Sequence, residues 1–506
     1  LYIDSVLSVI ASAQEPDGYL YTARTQNPEE PHHWAGPTRW SKVEDLSHEF
    51  YNLGHMAESA VAHYQATGER TFLDIAIRYA DCIIREVGDK PGQACVVPGH
   101  QIAEMALCKL YLATGERKYL DQAKFFLDYR GKTSFKTEYS QSHKPVVEQD
   151  EAVGHAVRAA YMYAGMADVA ALKHDTAYVS ALHRLWDNVV GAKMYVTGGI
   201  GSSRQNEGFT ADFDLPNKEA YCETCASGGM VFWYQRMNQL TGDAKYADVM
   251  ERSLYNGALA GISLQGDKFF YVNPLESDGK HHRQEWYGCA CCPSQISRFL
   301  PSIGNYIYGT SPDALYINLY LGNEADISLN GNGIKVSQTT EYPWKGKVQI
   351  FVEAGQPISQ KLKMRIPGWC RQYTIKVDGK KVQPILDKGY AVVEPNGKRQ
   401  TTVVLEMEMP VEQVAADPRV KQNVGKRAVQ RGPLVYCMEE TDNKQTYASA
   451  QLCKDTKYTV KFNKELLGGV MSVTAKGQHG SLQLIPYYAW DNREAGKMKV
   501  WLDYKE

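Results

Sequence analysis

The sequence predicts a mainly α protein with a following β part. We expect a toroid of paired helices over residues 1–310 and one or two β-sandwich units, jelly-roll-like, over residues 311–506. Two observations support this fold class. A helix–turn–helix pattern recurs through the first half of the chain, and near residue 310 it gives way to short segments in which polar and apolar residues alternate. These two periodicities are typical of helices and strands respectively.

The helical repeat is marked by a short turn sequence. Ala66–Asp74 returns in similar form as Ala113–Asp121, with weaker copies at Thr241–Asp248 and Lys173–Tyr178. In each copy we expect a helix to stop at a glycine and an amphipathic helix to begin a few residues later. Hairpins repeated in this way are typical of an α/α toroid, whose loops gather at one end and form a pocket. An α-solenoid scaffold is the alternative.

The β part is predicted from segments with a period of two. Asp378-Gly379 separates two of them and is typical of a tight hairpin turn. The segment Leu482–Tyr488 also resembles a strand. The clearest alternating segments are Val348–Val352, Leu362–Ile366, Tyr373–Val377 and Val403–Met407.

Composition excludes several classes of protein. The chain has 506 residues, 43% hydrophobic content and a net charge of −2, which is ordinary for a globular protein of more than one domain. Because its basic residues are scattered, we expect neither nucleic acid nor an anionic membrane surface as a partner. No apolar run approaches the roughly 20 residues that span a bilayer. The chain starts at Leu1 inside a predicted helix, so we expect further residues upstream.

Eleven cysteines without regular spacing argue against a disulfide framework. Reduced thiols are typical of the cytoplasm, whereas glycan degradation is also typical of the periplasm, so the sequence leaves both bacterial compartments open. Six cysteines are isolated in apolar patterns, and we expect them to be buried structural thiols: Cys82, Cys95, Cys108, Cys370, Cys437 and Cys453.

Two short segments carry a different cysteine pattern. Glu223 and Cys225 are two residues apart, and Cys291 and Cys292 are adjacent. Three thiols and one carboxylate are a donor set that Zn²⁺ prefers. Bound thiols lose their protons, so the same cation would also activate one cysteine as a nucleophile. The alternative is that these are core cysteines at helix starts.

A glycine-flanked polar loop follows the Gly198–Ser203 segment and carries Glu207 as the candidate acid. Asp212 and Asp214 are rival candidates for this role. Loops on rigid scaffolds often carry functional residues, but a single loop carboxylate can also be an ordinary solvated charge.

Several histidines occur at predicted helix starts. His48 and His55 are seven residues apart, while His100 and His155 each follow a glycine. A single histidine is usually structural. Several at corresponding ends of ring helices would instead line a pocket and bind a polar ligand through hydrogen bonds.

Taken together, these segments resemble the β-L-arabinofuranosidases of glycoside hydrolase family 127. The resemblance covers almost the whole chain, and its cysteine motifs are highly specific. In one detail the chain departs from the family pattern, because Gly228-Gly229 stands where bulkier residues are common. The matching segments are Tyr51–His55, His143–Val146, Ala152–Ala159, Tyr195–Gly201, Asp214–Asn217, Glu223–Ser227, Tyr271–Asn273, Gly288–Pro293, Arg365–Trp369 and Arg431–Tyr436.

The resemblance implies an (α/α)₆ barrel followed by β-sandwich domains, and a retaining hydrolase with a zinc-bound cysteine nucleophile. Cys291 corresponds to that nucleophile, and Glu207, sixteen residues before Glu223, corresponds to the general acid/base. The implied zinc ligands are Glu223, Cys225, Cys291 and Cys292. The residues that fall where the family contacts the sugar are His48, His100, His155 and Tyr271.

The implied substrate is an arabinofuranose-containing oligosaccharide or glycan, with a homodimer as a candidate assembly. Three alternatives remain at this stage. The protein would be a related glycosidase acting on another furanose-type sugar, a polysaccharide lyase on a similar toroid, or a non-catalytic carbohydrate-binding scaffold with a structural zinc.

Overall fold

The computed structural model describes residues 2–395, 397–477 and 480–506. Its contacts divide the chain into two compact units. The first comprises the residues up to Lys193 together with Gln205–Asp212, and the second comprises Met194–Arg204 and Phe213–Glu506. The first unit is helical. The second contains further helices, followed by the sheets.

Eight helices lie in the first unit and four in the second, counted over the described residues. The first eight are α1 (Tyr2–Ala13), α2 (Thr22–Thr25), α3 (Glu49–Thr67), α4 (Thr71–Glu86), α5 (Ala103–Thr114), α6 (Arg117–Tyr129), α7 (Ala156–Lys173) and α8 (Thr176–Asn188). The last four are α9 (Thr224–Thr241), α10 (Ala244–Arg252), α11 (Cys291–Phe299) and α12 (Gly304–Ile307).

The structure confirms all four predicted helix–turn–helix repeats: α3–α4, α5–α6, α7–α8 and α9–α10. Each first helix ends at a residue in the left-handed conformation, which is Gly68, Gly115 or Gly242 in three of them. In the fourth, His174 adopts the same conformation with φ of 56°. The turn therefore depends on the left-handed backbone, which glycine adopts most readily but histidine also reaches.

Helices of the first unit differ in burial. Helices α5 and α7 are buried along most of their length. Helix α4 buries one face through Ile75, Ala76 and Tyr79, as its amphipathic pattern predicts, and leaves Asp74 and Arg78 in solvent. The first unit thus contains inner and outer helices.

All the strands assigned in the described residues lie in the second unit, and they begin with the short β1 (Glu276–Ser277). The next eleven are β2 (Tyr308–Ser311), β3 (Ala314–Ile317), β4 (Asn323–Leu329), β5 (Asn332–Thr340), β6 (Lys347–Ala354), β7 (Lys361–Arg365), β8 (Tyr373–Val377), β9 (Lys380–Val382), β10 (Leu386–Asp387), β11 (Tyr390–Val393) and β12 (Gln400–Met407). The remaining strands are β13 (Val411–Val414), β14 (Lys426–Arg431), β15 (Leu434–Glu439), β16 (Gln451–Cys453), β17 (Lys457–Asn463), β18 (Val470–Gly477), β19 (Gly480–Pro486), β20 (Met498–Lys499) and β21 (Leu502–Lys505).

These strands form three sheets. A six-stranded sheet has the order β4-β5-β6-β12-β8-β9, and a five-stranded sheet has the order β10-β11-β7-β3-β2. Val336 and Val352 of the first and Leu315 and Leu362 of the second belong to one buried cluster, so the two sheets share a core. A third sheet of ten strands follows, built around β14, β15, β19 and β18.

The predicted strands are confirmed. All four alternating segments lie within β6, β7, β8 and β12 or extend one residue beyond, and the strand predicted from Leu482 runs to Pro486 before a short 3₁₀ turn. Asp378 and Gly379 join β8 to β9 with φ values of 47° and 80°. Two positive φ angles are what a type I′ hairpin turn requires.

One prediction about cysteines is partly wrong. Cys82, Cys108 and Cys437 are buried, but Cys370 and Cys453 are only half-buried and Cys95 is exposed. Cys95 lies in an extended segment beside the Val87–Ala94 bridge rather than in a helix, so its apolar neighbours do not imply burial of its own side chain. All eleven thiols are free. Among the described residues, no helix has both the length and the apolar character to cross a bilayer.

Candidate active site

The second unit brings the predicted metal ligands together at the starts of two helices. Glu223 immediately precedes α9, and Cys225 lies in its first turn. Cys291 and Cys292 are the first two residues of α11. Helix N-termini carry a partial positive charge that favours anionic groups such as thiolates. The position of these cysteines at helix starts, which the sequence analysis gave as an alternative to metal binding, is therefore compatible with a metal site.

The four side chains form one cluster, with a single donor atom from each lying within 4.8 Å of the others. The Sγ atoms of Cys291 and Cys292 are 4.0 Å apart. Glu223 Oε1 is 3.6 Å from Cys291 Sγ and 3.4 Å from Cys292 Sγ. No disulfide joins them.

These separations fit Zn²⁺. Zinc–sulfur bonds of about 2.3 Å in a tetrahedron place two sulfurs roughly 3.8 Å apart, and a zinc–oxygen bond of about 2.0 Å places oxygen about 3.5 Å from sulfur. The distances within the cluster lie within a few tenths of an ångström of these values. Three soft thiols and one carboxylate also form a donor set suited to zinc.

Cys291 differs from the other three residues in its exposure. Glu223, Cys225 and Cys292 are at most 2% exposed, whereas Cys291 is half-buried. Burial raises the pKa of Cys225 and of Cys292 well above its usual value. Without a cation these thiols would therefore stay protonated at neutral pH.

Tyr271 also belongs to this cluster. Its hydroxyl oxygen is 3.0 Å from Cys291 Sγ. Burial, reinforced by the Glu223 charge, raises the pKa of Tyr271 far above its usual range. The hydroxyl therefore keeps its proton. Its oxygen accepts from the Cys291 thiol, and its own proton is available to the sulfur when that sulfur is ionised.

Two polar residues that the sequence analysis did not select hold this cluster together. The Thr224 amide donates to the carbonyl of Tyr271 at 3.0 Å. The side-chain amide of Asn273 donates to the carbonyl of Cys222 at 2.8 Å and to Thr224 Oγ1 at 3.0 Å. The segments around Glu223 and Tyr271 are thereby fixed to each other. Only the contact reveals this role, since neither residue type is distinctive in sequence.

In the first unit, three of the predicted histidines lie at helix N-termini. His48 immediately precedes α3, and His155 immediately precedes α7. His100 lies two residues before the cap of α5. The ring centroids of His48 and His100 are 6.0 Å apart, and those of His100 and His155 are 5.5 Å apart. The structure therefore brings these three histidines into one row.

Two tyrosines complete this row of rings. The Tyr51 ring lies 4.4 Å from the rings of both His55 and His100, and the Tyr161 ring lies 6.2 Å from that of His100. Burial lowers the pKa of His48 and of His100 below its ordinary value. These imidazoles are therefore neutral near pH 7, and each has one donor and one acceptor nitrogen.

Glu207 joins the same unit through the loop Gln205–Asp212. Its carbonyl accepts from the Ala156 amide at 3.1 Å, and the Phe209 amide donates to the Gly154 carbonyl at 2.9 Å. A Cβ on Gly208 would lie 1.8 Å from the Gly154 carbonyl oxygen, so only glycine permits this approach. Glu207 itself has a φ of 50°, an uncommon backbone conformation that occurs often at functional sites.

The Glu207 carboxylate faces His155, whose Nε2 lies 3.2 Å from Glu207 Oε2. By contrast, the rival Asp212 pairs with Lys193 and accepts from the Asn188 amide. Asp214 belongs to the second unit, where Gln422 Nε2 lies 3.5 Å from its carboxylate. Glu207 is thus bonded to a predicted site histidine.

A cavity of about 460 Å³ lies beside this loop within the first unit. Tyr139, Asn206 and Lys193 are among its lining residues. Tyr139 connects it to the histidine row, since its ring lies 5.4 Å from that of His155. Tyr139 was not selected from the sequence, because a lone tyrosine carries no signal there.

Comparison with known protein families gives three consecutive matches. Residues 1–305 match the profile described as the β-L-arabinofuranosidase, GH127 catalytic domain. Residues 314–409 match the GH127 middle domain, and residues 411–503 match the glycoside hydrolase family 127 C-terminal domain. The matches cover nearly the full chain.

Individual relatives agree with these profiles. The chain is 37% identical to a non-reducing end β-L-arabinofuranosidase of Bifidobacterium longum subsp. longum, over 98% of this chain and 84% of that protein. A solved GH127 β-arabinofuranosidase superposes with a TM-score of 0.96 at 51% identity, over 100% of this chain and 84% of that chain. The GH127 β-L-arabinofuranosidase of Geobacillus stearothermophilus T6 gives a TM-score of 0.94 at 42% identity, over 100% and 86%.

Proposed function

The chain belongs to glycoside hydrolase family 127, and we propose that it is a retaining exo-β-L-arabinofuranosidase that releases arabinofuranose from plant glycans or glycoproteins. The observation that carries this proposal is the cluster of Glu223, Cys225, Cys291 and Cys292 with donor atoms within 4.8 Å of one another. If the cluster served only to hold the fold together, Cys291 would not need to be half-buried, and its exposure leaves room for a substrate.

In this proposal, Glu223, Cys225, Cys291 and Cys292 would hold Zn²⁺. When bound, the cation supplies the positive charge that keeps the cysteine sulfurs ionised. Cys291 is the nucleophile, because it is the more exposed thiol of the cluster and contacts the Tyr271 hydroxyl. Glu207 is the general acid/base.

The reaction takes two steps. The Cys291 sulfur attacks the anomeric carbon, the bond from that carbon to the leaving oxygen breaks, and protonated Glu207 gives its proton to the leaving oxygen. In the second step ionised Glu207 takes a proton from water. The water oxygen attacks the same carbon, the carbon–sulfur bond breaks, and the thiolate is restored. Two inversions give net retention, and both steps require Glu207 to reach the bond that Cys291 attacks.

Other residues bind and orient the sugar in this proposal. Neutral His48 and His100 offer donors and acceptors to hydroxyl groups, and Tyr271 keeps a proton next to the nucleophilic sulfur. Family membership also leads us to propose that the helical part, residues 1–310, is an (α/α)₆ barrel and that the sheets over residues 311–506 are jelly-roll-like β-sandwiches.

The experiment is a screen of synthetic methyl and 4-nitrophenyl furanosides of both anomers, with the product followed by NMR. We expect hydrolysis of β-L-arabinofuranosides with β-L-arabinofuranose as the first anomer released. Release of the α anomer first would contradict a double displacement. Preference for another furanose would replace arabinofuranose as the proposed substrate. An unsaturated product would indicate a polysaccharide lyase. Binding without turnover would indicate a non-catalytic carbohydrate-binding scaffold.

A further inference from the structure

We propose that His155 is a positioning residue that orients Glu207 for proton transfer through a fixed imidazole tautomer. This inference rests on the proposed acid/base role of Glu207. It assigns to His155 a task distinct from sugar contact, because both of its ring nitrogens already bond to atoms of the protein.

The start of α7 determines which ring nitrogen carries the proton. The amides of Val157 and Arg158 point at His155 Nδ1, at 3.2 and 3.4 Å. An amide N–H only donates, so Nδ1 must accept and therefore carries no proton. In a neutral imidazole the proton then resides on Nε2.

The second ring nitrogen faces the acid. His155 Nε2 lies 3.2 Å from Glu207 Oε2, so the Nε2–H donates to this carboxyl oxygen. Burial is the main influence on His155 and lowers its pKa, while the Glu207 hydrogen bond opposes it. A neutral ring near pH 7 is consistent with the donor and acceptor roles given by the geometry.

The surroundings hold the ring in this orientation. His155 is 6% exposed, and the rings of Tyr139 and His100 lie 5.4 and 5.5 Å from its own. The backbone bond from the Ala156 amide to the Glu207 carbonyl, 3.1 Å long, ties the two residues together. The His155–Glu207 contact is therefore built into the fold of the first unit.

The consequence concerns which oxygen transfers the proton. Oε2 accepts the Nε2–H bond whether Glu207 is ionised or protonated, provided that the acid proton is on Oε1. Oε1 is then the atom that gives the proton to the leaving oxygen and later takes one from water. His155 keeps its own proton throughout, so the proton balance of the reaction is unchanged.

Two substitutions separate the two contacts of His155. His155→Asn keeps an oxygen near the position of Nδ1 and remains a good helix cap, but it ends too early to reach Glu207. His155→Gln extends an amide N–H toward Glu207 but removes the cap acceptor. We expect the Asn variant to keep the melting temperature and the Gln variant to lower it, whereas activity on methyl β-L-arabinofuranoside should follow the opposite order.

The leaving group gives the first kinetic test. We expect His155→Asn to lower kcat/KM on the methyl glycoside by about tenfold or more, as general acid catalysis contributes about 10²–10⁴-fold. The loss on the 4-nitrophenyl glycoside should be several times smaller, because nitrophenolate leaves without a proton. Equal losses on both substrates would overturn the inference.

A double-mutant cycle gives the second test. If His155 acts through Glu207, adding His155→Asn to Glu207→Gln should cost less than about threefold further on the methyl glycoside. If the double variant instead loses the product of the two single-variant factors, His155 acts on the sugar directly. ¹⁵N NMR of labelled histidine supplies a readout that does not depend on activity. We expect the His155 proton on Nε2. A proton on Nδ1 would overturn the inference, whether or not the proposed function holds.

Discussion

Cys291 and Cys292 are adjacent in sequence but differ in their surroundings. Cys292 is fully buried, whereas Cys291 is half-buried and lies 3.0 Å from the Tyr271 hydroxyl. Both are close to Glu223 Oε1. A substrate carbon can therefore approach Cys291 more readily than Cys292, which gives a physical reason for the assignment that the family resemblance implies.

The tyrosine beside this sulfur yields a prediction. Tyr271→Phe removes a hydrogen-bond donor that faces a thiolate, an interaction worth about 1.5–3 kcal/mol. We expect kcat/KM on β-L-arabinofuranosides to fall by roughly 10- to 100-fold, with metal content unchanged by elemental analysis.

Tyr287→Phe is the matched control. Its hydroxyl contacts the Tyr271 amide at 3.2 Å and the Phe269 carbonyl at 2.9 Å, both backbone groups. We expect a smaller kinetic loss from this variant. Equal losses from the two variants would show that the Tyr271 hydroxyl has no special role at the sulfur.

At the scale of residues, the sequence predicts which residues belong to the candidate site better than it predicts which of them touch. The cysteine pattern and the resemblance select all four members of the candidate metal site, and the structure brings them together. The His155–Glu207 bond could not be predicted, since it joins two loops 52 residues apart. The isolated Cys95 was predicted to be buried and is exposed, because an apolar neighbourhood in sequence does not define one in space.

At the scale of elements, the cluster depends on the starts of α9 and α11. Each helix contributes donor side chains from its first turn or from the residue before it. Gly228 on α9 faces α11, since a Cβ there would lie 3.1 Å from Gln295 Nε2. Gly228 and Gly229 stand where bulkier residues are common in the family, and their small size is compatible with close packing of these two helices.

Metal removal should therefore loosen these helices. If Zn²⁺ joins the two helix starts, chelation should lower the melting temperature and increase hydrogen exchange in the first turns of α9 and α11. Exchange in β6 and β12, which lie in the six-stranded sheet, serves as the internal control and should change little. Restoring Zn²⁺ should reverse both effects. Unchanged exchange at both helix starts would argue against a metal there.

The helical hairpins show what local sequence determines. Their turns were predicted because a glycine at the helix end followed by an amphipathic pattern is a local signal. The structure confirms the four turns, although His174 replaces the expected glycine in one of them. The segment around Glu207 was predicted to be a loop, but its attachment to Gly154–Ala156 depends on a close backbone approach at Gly208. Such long-range pairing has no local signature.

At the scale of the whole molecule, the α-helices of the described residues precede every strand except the short β1, much as the sequence predicts. The last helix ends at Ile307 and β2 begins at Tyr308. The contacts nevertheless divide the chain within the helical part, after Lys193, and place the helices from α9 onward in the second unit. Periodicity detects a change of secondary structure, but it does not report which elements pack together.

The central claim is that the Cys291 sulfur forms a bond to the sugar, and mass spectrometry tests it most directly. In the Glu207→Gln variant, an activated aryl β-L-arabinofuranoside still loses its leaving group, but no carboxylate remains to activate water. We predict that the intact protein gains the mass of one arabinosyl residue and that peptide mapping places it on Cys291. An adduct on a different side chain, with Cys291 unmodified, would contradict the account.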